Sequence, residues 1–302
     1  MNKINERQNK QSSIDKLAAQ NQLYGDAKKR LGVYLLLSIP LMIILNIAVK
    51  PALLNDCLNL GWTFDLTDSI ALFALMLAGY DLIYLKRHIS ALKQKAAKIQ
   101  EDFDCTVYDL EWNTLLCGDK ECELEIKKSS DKYSNKGKDR AKFSDWYTPE
   151  VENIDQIKAI LVCQKENLGW DIEQRTKFIY FISIVSIMVF AISLIAGFYF
   201  EISLKSLILS AIIPSWPALS FAITNYFENK EAIQEKKLLK SAVDRVEDIK
   251  IPTIKYARNI QNLIFLNRKN NCLIFDWFYE YLRNANQTGI SYASKQLIQR
   301  LL

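Results

Sequence analysis

Residues Phe178 to Phe200, FIYFISIVSIMVFAISLIAGFYF, hold no charged side chain over twenty-three positions. At about 1.5 Å per residue such a helix reaches roughly 34 Å, enough to cross a hydrocarbon core of about 30 Å with some tilt. In water a helix that is apolar on all sides would need burial on all sides. Three further stretches are of the same kind: Leu31 to Val49, Ser69 to Leu85 and Ser206 to Phe227. Mean hydropathy is near zero only because these apolar blocks alternate with blocks rich in Lys, Glu and Asp. The pattern predicts a mainly α, four-helix transmembrane protein built as two hairpins.

The net charge of +5 matters less than its placement. Lys28, Lys29 and Arg30 precede the first span, and Lys86 and Arg87 follow the second, so the positive-inside rule puts both on the cytosolic side. The N-terminus, the residues after Arg87 and the C-terminal region are then cytosolic. The opening residues are polar, with no apolar core after a short basic region, and do not read as a cleavable signal peptide. The domain plan is a cytosolic N-terminal helix (1–30), hairpin 1 (31–85), a cytosolic domain (86–176), hairpin 2 (177–227) and a cytosolic helical C-terminal region (228–302). Six scattered cysteines (Cys57, Cys105, Cys117, Cys122, Cys163, Cys272) fit reduced thiols rather than a disulfide framework.

Within the cytosolic domain, Phe103, Cys105 and Val107 alternate with polar neighbours, the spacing of a half-buried strand, so this region is expected to be α(+β). Residues 117–142, ending in SSDKYSNKGKDRAK, read as a solvated insertion. A helix from about Asn153 runs toward the third span with Gly169 as a possible break, and Gly289 is expected to separate the last two helices. In the membrane, Pro40 is expected to kink the first span, and Pro214 and Pro217 to prevent a straight fourth one. Asp81 is an ionisable group one turn inside the second span. It reads either as an anchor paired with Arg87 or Lys86, or as a polar contact in a bundle or along a water path. Ser183, Ser186 and Ser193 could hydrogen-bond across helices.

Little advertises catalysis. His88, beside Lys86 and Arg87, is the sole histidine, which excludes two-histidine zinc sites and any Ser-His or Cys-His pair not built on it. Glycine-rich phosphate loops are missing from the sequence. CGDKEC at Cys117 to Cys122 has no second cysteine pair to complete a metal site. We expect neither an enzyme nor a cofactor. A set mixing aromatics with cations is more suggestive: Trp146, Tyr147, Trp170, Arg175, Arg258 and Arg268, with Trp277 and Arg283 beyond. Aromatic faces stack on bases and guanidinium forks bind phosphates, although Trp and Tyr also belong in cores and at membrane interfaces.

INERQN at Ile4 to Asn9, FDC and LEWN within Phe103 to Asn113, DWY at Asp145 to Tyr147 and CQKENLGWD at Cys163 to Asp171 resemble the SMODS-associating four-transmembrane effector family. ARNIQNLIFLNRKNN followed by DWFYEYLR is similar to that family's C-terminal region. Asn262 stands where an acidic residue is expected, and 117–142 is more polar than the pattern. The resemblance implies an effector of cyclic-oligonucleotide-based anti-phage signalling (CBASS). A cGAS-like nucleotidyltransferase would make a cyclic oligonucleotide, and the effector, as a homo-oligomer in the lipid bilayer, would impair the bacterial inner membrane. Gln164 and Asn167 join the ligand candidates through the CQKENLGWD motif; Asp81, Pro214 and Pro217 are the membrane candidates. A small ion channel or transporter, or a receptor or scaffold working through protein contacts, are the alternatives. For the last, the stripe Ala232, Leu239, Val243, Val246 would be an oligomer seam or intrachain packing.

Overall fold

The computed structural model of the protein describes residues 2–54, 63–199, 208, 213–245 and 252–302. Among these there is no strand. The principal helices are α1 (Ile4–Gln8), α2 (Gln11–Leu36), α3 (Thr67–Tyr80), α4 (Lys86–Tyr108), α5 (Thr114–Cys117), α6 (Glu123–Asn135), α7 (Gln156–Tyr199), α8 (Ile213–Asp244), α9 (Ile254–Asn270) and α10 (Asp276–Leu301). The chain divides into two compact units. One comprises Met1–Lys28, Ser90–Phe178 and Asn229–Leu302; the other comprises Lys29–Ile89 and Ile179–Glu228.

The second unit holds the spans. Thr67–Tyr108 and Gln156–Ile192 are long and apolar enough to cross a membrane. Their apolar side chains face outward, with Leu82 at 70% and Ile187 at 67% exposure, the arrangement of helices whose solvent is lipid. After α2 the first span changes to π-type turns at Leu37–Leu41 and Leu45–Val49. Pro40 sits in the first of these, where a residue without an N–H disturbs the i→i−4 ladder. Another π turn, Asp81–Leu85, joins α3 to α4, and Asp81 pairs with Lys86 at 3.5 Å. That is the anchor reading, with Lys86 rather than Arg87 as partner. Ser186 Oγ donates to the Ile182 carbonyl at 2.7 Å within its own helix rather than to a neighbour. Pro214 and Pro217 both lie in the first five residues of α8, whose backbone remains helical through them. Cys57 and Val246 lie outside the described residues.

The first unit is an all-helical body. Its core gathers Phe103, Val107, Tyr108, Tyr147, Ile160 and Cys163, with Val243 and partly buried Leu239 from α8 packed into the same cluster. These two residues of the stripe therefore serve intrachain packing. Tyr147 is the hub. Its ring lies 6.1 Å from Phe103 and 5.5 Å from Tyr108, and its hydroxyl donates to Asp104 Oδ1 at 2.6 Å. Gln8, fully buried, brackets its backbone: Gln8 Nε2 donates to the Tyr147 carbonyl at 3.0 Å and the Tyr147 N–H donates to Gln8 Oε1 at 2.8 Å. One residue on, Asn9 and Asp145 exchange a similar pair of bonds at 2.8 and 2.9 Å. The INERQN and DWY motifs are thus two halves of one joint.

The expected strand is helix. α4 continues to Tyr108 and ends where Asp109 takes φ 61°. Alternation misled because Asp102 and Asp104, the polar neighbours that a half-buried strand would turn to solvent, are buried as well. The expected insertion at 117–142 also folds. Ile126, Ser130 and Tyr133 form the buried side of α6, while Arg140 reaches Asp15 Oδ1 at 2.7 Å and Lys132 reaches Asp26 Oδ2 at 2.8 Å. Those acidic partners lie more than a hundred residues upstream, beyond any local pattern. Neither Gly169 nor Gly289 breaks its helix; each lies inside a continuous one, a placement glycine tolerates at a cost of about 1 kcal/mol relative to Ala.

The Gln8 bracket generates a test. Gln8→Ala leaves the buried Tyr147 N–H and carbonyl without partners and is expected to destabilise the body by roughly 2–4 kcal/mol. Denaturant unfolding of the detergent-solubilised protein, followed by tryptophan fluorescence, measures this; an unchanged midpoint would show that the bracket contributes nothing.

Candidate functional site

In the helical body, α2, α4, α7, α9 and the start of α10 enclose a cavity of about 190 Å³. At roughly 10–15 Å³ for each water centre it has room for on the order of a dozen waters, the scale of an organic ligand rather than a lone ion. Trp146, Asn167, Trp170, Arg175 and Arg268 line it together. A smaller pocket of about 90 Å³ shares Trp146, Asn167, Trp170 and Tyr279 with it and adds Tyr147 and Glu166. The ring of Trp170 meets that of Tyr279 edge to face at 5.7 Å. Aromatic surface and guanidinium groups therefore face the same space.

The two arginines play different parts. Arg175 is held by α7 itself, with Nε 3.0 Å from Asp171 Oδ2, while Nη1 donates to Asn229 Oδ1 at 2.5 Å and to the Cys272 carbonyl at 3.2 Å. Lys236 approaches the same Asp171 oxygen at 2.8 Å and also bonds Asn267. Burial works against ionisation of Asp171, yet Arg175 and Lys236 together hold its carboxyl well below the usual carboxylate range. Burial pulls Lys236 itself down to about 8 against the pull of Asp171.

Arg268 is 9% exposed and donates through Nη1 to Asp104 Oδ2 at 2.5 Å, while its buried Nη2 has no acceptor. Asp104 is fully buried and is also bonded by Tyr147 Oη and, at 2.9 Å, by Gln261 Nε2. The carboxylate that fixes Arg268 is thus itself fixed. A buried guanidinium nitrogen without an acceptor is costly, and an anionic or carbonyl oxygen that reached it would satisfy it. Burial pushes the neighbouring Tyr24 phenol up to about 12, and burial likewise lifts the Glu166 carboxyl to about 7 even though Thr148 donates to it through N–H and Oγ.

Other candidates are placed elsewhere or have other work. Gln164 is fully buried and donates to the Ala257 carbonyl at 2.9 Å and to Gln261 Oε1 at 3.1 Å, tying α7 to α9. Arg258 pairs with Glu101 at 2.5 Å and bonds Asn262, the expected acidic position, at 2.7 Å. Neither lines the cavity. Tyr147 reaches the small pocket, but its hydroxyl belongs to Asp104. Tyr24, Lys28, Gln100 and Asp276, which do line the large cavity, were not singled out by sequence. Lys28 was read solely as a membrane-edge charge, and Asp276 carries no local signal. Among the described residues no cluster could hold a metal ion.

The family model for the SMODS-associating 4TM effector domain matches residues 2–297. The chain belongs to that family. It is accordingly a membrane protein whose family is defined by a four-transmembrane domain. It is 28% identical over 282 residues, covering 91% of each chain, to a probable CBASS effector molecule of Bacillus cereus (strain VD146). No solved structure matches it.

The Asp104–Arg268 geometry makes a prediction of coupling. Asp104→Asn leaves a buried guanidinium without its counter-charge and is expected to cost roughly 3–5 kcal/mol of stability. Adding Arg268→Met should restore much of that loss. Additive losses in a double-mutant cycle of unfolding free energies would show that the two do not act as a pair.

Proposed function

We propose that this protein is the membrane effector of a CBASS anti-phage system. It is activated when a cyclic oligonucleotide, made by a cGAS-like nucleotidyltransferase, binds the cavity of the helical body. It then impairs the integrity of the bacterial inner membrane as a homo-oligomer, ending the infected cell's growth before phage are released. Both termini lie in the cytosol, where the nucleotide is made. The effector carries out no catalysis of its own and needs no cofactor. The observation that carries the reading is the cavity, which joins aromatic faces for bases to the guanidinium-bearing residues Arg175 and Arg268. Membership of a four-transmembrane effector family and similarity to a probable CBASS effector support the pathway.

Coupling to the bilayer follows the chain. Trp170 and Arg175 belong to α7, which runs on as the third span; Lys28 belongs to α2, which leads into the first. A ligand shifts an equilibrium between sealed and leaky states by its differential affinity for the two.

Vesicles carrying the protein are expected to release an entrapped dye only when a cyclic di- or trinucleotide of a test panel is added. Trp170→Ala removes a stacking face, worth about 1–3 kcal/mol per base, and should raise the nucleotide concentration for half-maximal leakage roughly tenfold or more. Leakage that ignores every member of the panel would overturn the reading.

A further inference from the structure

Of the three cations that line the large cavity, Arg268 and Lys28 are in different states. Arg268 is buried and locked to Asp104, and its buried Nη2 has no acceptor. Lys28, contributed by α2, is 19% exposed, and its Nζ lies 2.6 Å from Asp276 Oδ1. Asp276 is 39% exposed and lines the same cavity; its Oδ2 also lies 3.8 Å from Lys138 Nζ. A Cβ at Gly25, one turn before Lys28 on α2, would stand 3.6 Å from Asp276 Oδ2, so the carboxylate rests directly against that helix. A partly solvated Lys–Asp pair of this kind contributes little net stability and exchanges readily for a better anion. The Arg268–Asp104 pair is too buried and too thoroughly hydrogen-bonded to do the same.

We propose that Arg268 and Lys28 together read a phosphodiester in this cavity, and that Asp276 is an internal anion occupying Lys28 until the ligand's phosphate displaces it. The inference rests on the cavity being the nucleotide site and adds to it a division of roles. Arg268 is a fixed cation whose position Asp104 sets and whose buried Nη2 has no acceptor. Lys28 is a cation whose intramolecular partner sets a threshold for binding. The phosphate brings a full negative charge and two accessible oxygens, against the single Asp276 oxygen that Lys28 now holds. Displacement would release the start of α10 from α2, the helix that leads to the first span.

The test measures binding to the full-length, detergent-solubilised protein by equilibrium dialysis, with a panel of cyclic di- and trinucleotides in one arm and short-chain dihexanoyl phosphatidylglycerol in the other. Asp276→Asn keeps size and removes the competing charge, and is expected to tighten binding of the cognate nucleotide about tenfold; Lys28→Met is expected to weaken it by about as much. In the Lys28→Met background Asp276→Asn should change affinity by less than about twofold, because the competitor no longer has anything to compete for. Asp276→Ser supplies the same readout should the Asn variant fold poorly. Unchanged or weaker nucleotide binding by the Asp276 variants, in a protein that binds nucleotide, overturns the internal-anion assignment alone. A wild-type protein that binds no member of the panel overturns the nucleotide reading and this inference with it. Lys28-dependent binding of the phosphatidylglycerol without nucleotide binding assigns the site to a lipid headgroup and overturns the inference likewise.

Discussion

The helical body is organised around one buried carboxylate. Asp104 accepts from Tyr147, Gln261 and Arg268 at once, the first from the loop before α7 and the other two from α9. Taking a carboxylate and a guanidinium out of water costs several kcal/mol per ion, and their attraction repays it only when the remaining lone pairs are also satisfied. Here they are, on the aspartate side. Glu101, one turn earlier, repeats the pattern with Arg258, Gln261 and Cys105. Its carboxyl is raised above its ordinary value, chiefly by burial and then by Asp104, which places the two acids in one field. Such a network adds less to net stability than well-packed apolar residues would, but it admits one register of α4 against α9. The arginine held by that register is the one with a nitrogen to spare.

The two units invert each other's chemistry. In the body, acids and amides lie inside and are paired; in the spans, leucine and isoleucine lie outside and are unpaired. Both arrangements follow from the solvent each unit meets, since lipid accepts apolar side chains but no unbonded backbone. The near-zero mean hydropathy is the cancellation of these two compositions.

This inversion explains what the sequence made legible. A span is a local property, a run of residues without charge, so Ser69 to Leu85 and Phe178 to Phe200 could be read directly. Trp146, Trp170, Arg175 and Arg268 could be gathered as candidates because aromatic and cationic residues are conspicuous in kind. Their use of one cavity, and the exclusion of Arg258 and Gln164 from it, depend on partners such as Glu101 and Gln261 that lie about a hundred residues away or more. The strand expected at Phe103 failed for the same reason: taking Asp102 and Asp104 as exposed assumes that no cation waits for them elsewhere in the chain. Lys28 stands outside that set because a cation before a span already has an explanation in membrane topology, which hides its place in the cavity wall.

Arg175 shows how occupancy of the cavity could be felt beyond it. Its guanidinium ties three pieces of backbone together: its own helix through Asp171, the α8 residue Asn229, and the Cys272 carbonyl just before α10. A ligand oxygen competing for this side chain would have to draw it from at least one of those acceptors. Asp171 would then keep Lys236 as counter-charge, so the cost of losing Arg175 falls mainly on the contacts with Asn229 and Cys272. These acceptors are neutral, whereas Asp171 adds the attraction of a full opposite charge in a buried site. The energetics therefore favour loosening the junctions to α8 and α10 before the α7 pair breaks. In that order, a ligand changes how the helices meet while leaving intact the hydrogen-bond ladder that carries α7 toward the membrane.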